Sequence, residues 1–305
     1  MKLTDILERY AVLMNLSPRS VVLYRHSIAK LGEFLEHEPT IADLDDFTIA
    51  KFLRWRATNT RGKKPISPES VAKDRSQILA LWNWSCRKKI HDGEWPALAR
   101  QKRIHRTPKA YTATDVARII VQARKRRGTI CGLPAAWWWS TILYAAWCCG
   151  SRIGELMQLR WRDVDLVNRR ALFVAATRKG GAADISHALP ADLCQQLEEH
   201  RRSSDDLVWP WDRQPTSIYP SMKILCRTAG VPYRAFHAIR KASASYVQLG
   251  GGDATAHLGH SDPAMTRGHY LDPAITQTRS ALDYLPPLDL AEEAEFVPDA
   301  EPETA

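Results

Sequence analysis

After Ser17 and Pro18, apolar residues return at Val21, Tyr24, Ile28, Leu31 and Leu35. Steps of three and four place all five on one side of a helix. The serine supplies a hydroxyl cap and the proline a preset first-turn φ. The same signal recurs at Ser67 and Pro68, ahead of Val71, Ile78, Leu81 and Trp82, while the polar, basic stretch from Thr60 to Pro65 reads as a loop. About four helices of ordinary length fit into the first hundred residues, so residues 1–100 are expected to form a small helical domain.

From Ala97 to Ala110 the periodicity is lost, basic residues accumulate and Pro108 intervenes, and we place a linker at 101–110. A second domain, 111–288, opens with Thr112-Ala113-Thr114-Asp115, which has the spacing of a capping box, followed by Val116, Ile119, Ile120 and Ala123 on one face. The run from Ala135 to Cys149, including Trp137-Trp138-Trp139, is too short to span a bilayer and predicts a buried helix. Residues 171–175 and 184–189 predict two short strands joined by Arg178-Lys179-Gly180-Gly181, a hairpin. Helices return after Pro190, Pro286-Pro287 closes the folded part, and 289–305 reads as an acidic, disordered tail. The fold class is therefore mainly α with a small antiparallel β-sheet.

Composition narrows the function. The chain has 305 residues, 45% hydrophobic and 25% charged, which suits two folded domains and excludes a wholly disordered chain. No window is long and apolar enough for a membrane span, and the opening Met1-Lys2-Leu3-Thr4-Asp5 lacks an apolar signal core, so a cytoplasmic protein is expected. The six cysteines form no repeated C-x-x-C pair and imply neither a disulfide framework nor a zinc module. The net charge is +9, yet residues 289–305 hold seven acids and no Lys or Arg; the remainder carries 43 basic residues against 27 acidic, a net +16. A body this basic attracts polyanions, of which nucleic acid is the commonest. Arg61, Lys63, Lys64, Arg87, Lys88, Lys89, Lys102, Arg103 and Arg178 are the candidate DNA contacts. The eleven tryptophans are expected mostly in the core, with base stacking as the alternative.

Four segments carry the chemistry: Cys149-Gly150-Ser151-Arg152-Ile153-Gly154-Glu155-Leu156; Thr177-Arg178-Lys179-Gly180; His237-Ala238-Ile239-Arg240; and Leu258-Gly259-His260, with Tyr270 ten residues on. In this order, and with Leu159-Arg160-Trp161-Arg162-Asp163-Val164-Asp165 continuing the first, they resemble the tyrosine recombinase, or phage-type integrase, family. The resemblance covers about residues 1–285, since the N-terminal helices look like that family's core-binding domain. It implies a two-domain DNA clamp, with the core-binding domain on one face of the duplex and the catalytic domain on the other. It also implies a site-specific recombinase that cuts and rejoins strands through a 3′-phosphotyrosine.

The residue types suit that reaction. Breaking a strand in this way needs a nucleophile, a proton for the leaving 5′ oxygen, and donors for charge on the non-bridging oxygens. Tyr270 is the candidate nucleophile, and Arg152 and Arg240 offer forked guanidinium donors. His237 is a candidate general base or acid. The resemblance assigns Lys179 as the acid for the 5′ oxygen and His260 as a hydrogen bond to the phosphate. Glu155 would orient Arg152 or His237. No metal or other cofactor is expected: His257, His260 and His269 lack coordinating acids, and there is no P-loop for ATP. Double-stranded DNA is the expected partner, and the resemblance implies a homotetramer on two duplexes, with Asp272 to Leu285 packing on a neighbour. Few residues separate Gly250-Gly251-Gly252-Asp253 from the L-G-H segment, so the helix there should be short. Two alternatives stay open on the same fold, a DNA-binding regulator without the reaction and a type IB topoisomerase-like relaxation activity.

Overall fold

The computed structural model describes residues 1–61, 64–99, 107–178 and 183–277, and of Arg61 and Lys64 only the backbone. The chain separates into two compact units, Met1–His105 and Arg106–Ala305.

The first unit contains α1 (Leu3–Leu13), α2 (Pro18–Leu35), α3 (Asp46–Thr58) and α4 (Pro68–Arg87), with a short ribbon of β1 (Thr60–Arg61) and β2 (Lys64–Pro65) between the last two. Both serine–proline starts form as the sequence predicts: Ser17 Oγ accepts from Ser20 N and Ser67 Oγ from Ser70 N, each at 3.2 Å. Helix α2 buries Ile28 and Leu31, with Val21, Tyr24 and Leu35 half-buried beside them against Leu7, Phe52 and Ile78. One charged network lies inside this bundle. Arg56 Nε donates to Asp74 Oδ2 at 2.9 Å, and Ser27 Oγ lies 2.6 Å from Asp74 Oδ1, all three residues being buried.

The second unit begins earlier than the composition of 101–110 suggests. Pro108, Ala110 and Tyr111 are buried, Ala110 N donates to Asp272 Oδ2 at 2.7 Å, and the Tyr111 hydroxyl accepts from Arg234 N at 2.6 Å. A stretch that is basic and aperiodic can still pack when its few apolar side chains find a core, and periodicity does not register that.

Next come α5 (Ala113–Ala123), a ribbon of β3 (Thr129–Ile130) and β4 (Leu133–Pro134), then α6 (Ala135–Cys149) and α7 (Ile153–Leu156). The antiparallel sheet has three strands in the order β5 (Val164–Asp165), β6 (Arg170–Phe173) and β7 (Ile185–Ala188), with Ala171 opposite both Val164 and His187. Strand β6 stops at Phe173 because a 3-10 turn, Ala175–Thr177, follows; β5 is a strand the sequence pattern did not mark. Helices α8 (Ala191–Glu198), α9 (Ile218–Thr228), α10 (His237–Leu249), α11 (Ala254–Leu258), α12 (Pro263–His269) and α13 (Pro273–Thr276) complete the unit. Helix α6 is its axis: Trp138, Trp139, Ile142 and Leu143 are wholly or almost wholly buried, and it packs on α5, α8 and α10. Core packing is the use made of most tryptophans, while Trp95 is exposed.

Among the described residues, no helix is long and apolar enough to cross a membrane, and no cluster of His, Cys, Asp or Glu is arranged to hold a metal. All six cysteines are free. Lys63, Lys102, Arg103, Lys179, Pro286-Pro287 and the acidic tail lie outside the described residues.

Removing Asp74 strands the Arg56 guanidinium in the bundle, and breaking a buried pair from one side costs about 3–5 kcal/mol. We expect Asp74→Ala to lower the urea stability of the first unit by that order, while Asp205→Ala, which removes the exposed Arg162 pair at 2.6 Å, shifts the second unit far less. Equal effects would contradict the assignment.

Candidate active site

The site is built where three chain reversals meet. Helix α6 ends at Gly150, whose φ of +57° places it in the left-handed region. A side chain there is refused twice, by that backbone and by the ring of His257, whose Nε2 would stand 2.7 Å from a Cβ. The turn leaves Arg152 as the capping residue of α7, and Glu155 grips it from both sides: Oε2 accepts from Arg152 N and Oε1 from Arg152 Nη1, each at 2.8 Å. Glu155 is buried, and the Arg152 side chain is 30% exposed. Of the two partners expected for Glu155, the structure pairs it with Arg152.

His237 and Arg240 open α10 three residues apart, on one face. Arg240 is 2% exposed. Its Nη1 donates to the Gly150 carbonyl at 2.6 Å, and its Nη2 donates to the Leu258 carbonyl at 3.1 Å and to His260 Nε2 at 2.8 Å. Burial, and next the charge of Arg152, push its pKa down to about 10, so it stays cationic at neutral pH.

The helix before His260 is short, as its few residues predict: α11 spans Ala254–Leu258 and ends at Gly259, φ +59°. Because a guanidinium can only donate, His260 Nε2 accepts from Arg240, so Nδ1 carries the proton and donates to Thr266 Oγ1 at 2.9 Å. Burial first, then Arg240, hold the pKa of His260 down at about 4. His260 is therefore a neutral imidazole whose Nε2 lone pair is occupied. It can donate to a phosphate from that nitrogen only once Arg240 turns away and the proton changes sides.

Tyr270 follows α12 and is 7% exposed. One side of it packs on Ala244, Ala254 and Leu258. The other meets polar groups: the rings of His260 and His237 stand edge-on at 4.5 Å and 5.1 Å, and Arg240 Cζ lies 5.3 Å from the ring centre. Burial, then Lys241, hold the pKa of His237 down at about 4. Arg152 is near enough for its charge to lower the titration of His237, Arg240 and His260. The structure thus brings Arg152, Glu155, His237, Arg240, His260 and Tyr270 into one cluster.

The candidate DNA contacts divide. Arg87, Lys88 and Lys89, at the end of α4 and beyond it, are exposed. Arg178 turns inward: it is 7% exposed, and its guanidinium donates to the carbonyls of Ala183, Leu258 and Gly259. Its place in a basic hairpin gave no sign that the side chain turns inward. Sequence reasoning also gave no role to Thr266, whose hydroxyl takes the His260 Nδ1 hydrogen bond and which carries no signal beyond its position. Nor did it give one to Gly150 and Gly259, which a glycine at the end of a helical run does signal.

Residues 112–276 match the model of the phage integrase family. The chain is similar to the tyrosine recombinase XerC of Xanthomonas campestris pv. campestris (strain B100), with 25% identity over 266 residues, 82% of this chain and 78% of the relative. It is also similar to the XerC of Xanthomonas axonopodis pv. citri (strain 306), with 23% identity over 272 residues, 82% of this chain and 85% of the relative. Among solved structures, a lambda integrase(75-356) dimer bound to a COC' core site aligns at a TM-score of 0.66 and 17% identity, covering 95% of this chain and all of that one. The pre-cleavage complex of XerH with difH aligns at 0.63 and 15%, covering 87% and 79%. These structural likenesses speak to the fold.

The histidines set a pH dependence. His187 is held at about 3, His237 and His260 at about 4, and His257 is lowered, in each case chiefly by burial. Between roughly pH 6.5 and 4 the unfolded chain takes up protons at these rings that the folded chain refuses. Their contribution to stability is complete above the unfolded value and is lost as pH falls. The urea midpoint of the second unit should therefore drop between about pH 7 and pH 5, a range in which ordinary carboxylates stay largely ionised; a midpoint flat across it would contradict the burial described.

Proposed function

From the chain's membership of the phage integrase family, we propose that it is a site-specific DNA recombinase whose nucleophile is Tyr270. The observation that carries this reading is the contact of one tyrosine ring with Arg240, His237 and His260 in a single cluster. The Tyr270 oxygen attacks the scissile phosphorus, the bond from phosphorus to the 5′ oxygen breaks, and a 3′-phosphotyrosine ester forms. A neutral imidazole at position 237 suits the general base that takes the phenolic proton. Lys179 would return a proton to the 5′ oxygen. Arg152 and Arg240 would take the non-bridging oxygens, where positioned cations act most strongly on developing charge. The ester keeps the energy of the broken bond, so rejoining is nearly isoenergetic and needs neither ATP nor a metal.

The basic body supports double-stranded DNA as the partner, with phosphate contacts supplying much of the affinity. Lambda integrase has been solved as a tetramer bound to a Holliday junction. We extend that assembly to this chain, with four protomers on two duplexes; Asp272, the first residue of the segment expected to reach a neighbour, is held by Ala110 and Ser245 of its own chain.

Tyr270→Phe should bind its DNA site as the native chain does and form no denaturant-resistant adduct on a nicked substrate. An undiminished adduct would remove Tyr270 from the reaction. Adduct formation separates the enzyme from a DNA-binding regulator, and dependence of cleavage on sequence separates it from a topoisomerase. Arg152→Ala and Arg240→Ala should each slow cleavage by about 10²-fold or more, since a single preorganised donor is worth that much. Cleavage at the native rate in both would exclude the two-arginine clamp.

A further inference from the structure

We infer that Arg178 is a positioning residue, which locks the turn carrying His260 and Arg240's acceptor rather than touching DNA. For its activity readout the inference rests on the reaction proposed above. Arg178 follows the 3-10 turn Ala175–Thr177 and points inward, 7% exposed. Its Nη1 donates to the Ala183 carbonyl, and its Nη2 lies 3.3 Å from the Leu258 carbonyl and 3.4 Å from that of Gly259. The Leu258 carbonyl is the one that Arg240 Nη2 also reaches, at 3.1 Å. Two buried guanidinium groups from different elements therefore meet on a single backbone oxygen, two residues before His260.

The site is matched to the arginine from the other side as well. A Cβ at Gly259 would overlap the Arg178 guanidinium, and the φ of +59° there already disfavours a side chain. Arg178 forms no ion pair among the described residues, and its Nε has no hydrogen-bond partner. Burying a cation against carbonyls alone is unfavourable compared with an apolar side chain of similar length. Its forked donors are what the position uses: one arm closes the base of the hairpin at Ala183, and the other satisfies carbonyls left open where α11 ends. Without it the Gly259 carbonyl loses its donor and the Leu258 carbonyl is left to Arg240. In sequence Arg178 directly precedes Lys179, the proposed acid.

The test compares the native chain with Arg178→Met, which fills similar space without donors, and Arg178→Lys, which keeps the charge. Without DNA, backbone amide exchange in residues 257–262 should quicken by about 10-fold in Arg178→Met while α6 stays protected. With saturating site DNA, single-turnover adduct formation on a nicked substrate should slow by about 10- to 100-fold, as a small misplacement of catalytic groups does. Site affinity should be unchanged, and Arg178→Lys should recover part of the rate. If Arg178→Met does not fold, the lysine variant serves alone, with partial loss of rate and intermediate exchange expected.

Unchanged exchange in a folded variant overturns the inference. So does a loss of affinity with a shallower salt dependence and an intact saturating rate, which marks a phosphate contact. Faster exchange in a variant of a native chain that itself forms no adduct would sustain the positioning role and sink the proposed reaction instead.

Discussion

The second unit's site depends on one buried cation. Arg240 leaves water almost completely, and the groups that receive its guanidinium are two carbonyls and a neutral imidazole. Stripping a guanidinium of water is opposed by several kcal/mol, so its neighbours must be arranged to compensate, and that requirement reaches outward. The Gly150 carbonyl faces Arg240 because the chain turns left-handed there, and the Leu258 carbonyl is open because α11 ends at once in Gly259. His260 must present a lone pair, which obliges it to give its proton to Thr266. A tyrosine ring then closes the group.

The electrostatic result is a cluster in which Arg152 and Arg240 bring positive charge. Glu155 spends both oxygens on Arg152, and the surrounding histidines are kept neutral chiefly by burial. Such a site is organised before any ligand arrives, and an anion that draws on Arg240 must take over donors now held by two carbonyls and His260. The same arrangement explains why His260 Nε2 is occupied: Arg240 satisfies part of its own hydrogen bonding with the imidazole until something more negative replaces it.

Much of this was written in the sequence. Serine–proline starts, the Thr112 box and the Ala135–Cys149 run each follow from a local rule, and each stands where the rule put it; the motif residues came by resemblance, and Arg240, His237, His260 and Tyr270 among them lie together. What escaped belongs to tertiary contact. Pro108 and Ala110 look like linker by composition and are packed; β5 is two residues long, too short to show alternation. Arg178 sits in a basic hairpin, and only the distant Gly259 carbonyl reveals that it faces inward. Charge on a sequence says how much a residue costs to bury, and nothing about whether the fold has prepared a place for it.

The Ala110 amide and the Asp272 carboxylate form a short bridge between the chain's entry into the second unit and the peptide just beyond Tyr270. Asp272 is further tethered through its own amide to Ser245, whose hydroxyl also reaches the Tyr270 carbonyl. The Tyr270 backbone is therefore moored, through Ser245 and Asp272, to the segment at Ala110. The one Asp272 carboxylate thus ties two segments of the second unit that lie far apart in sequence, the peptide at Ala110 and the peptide after Tyr270.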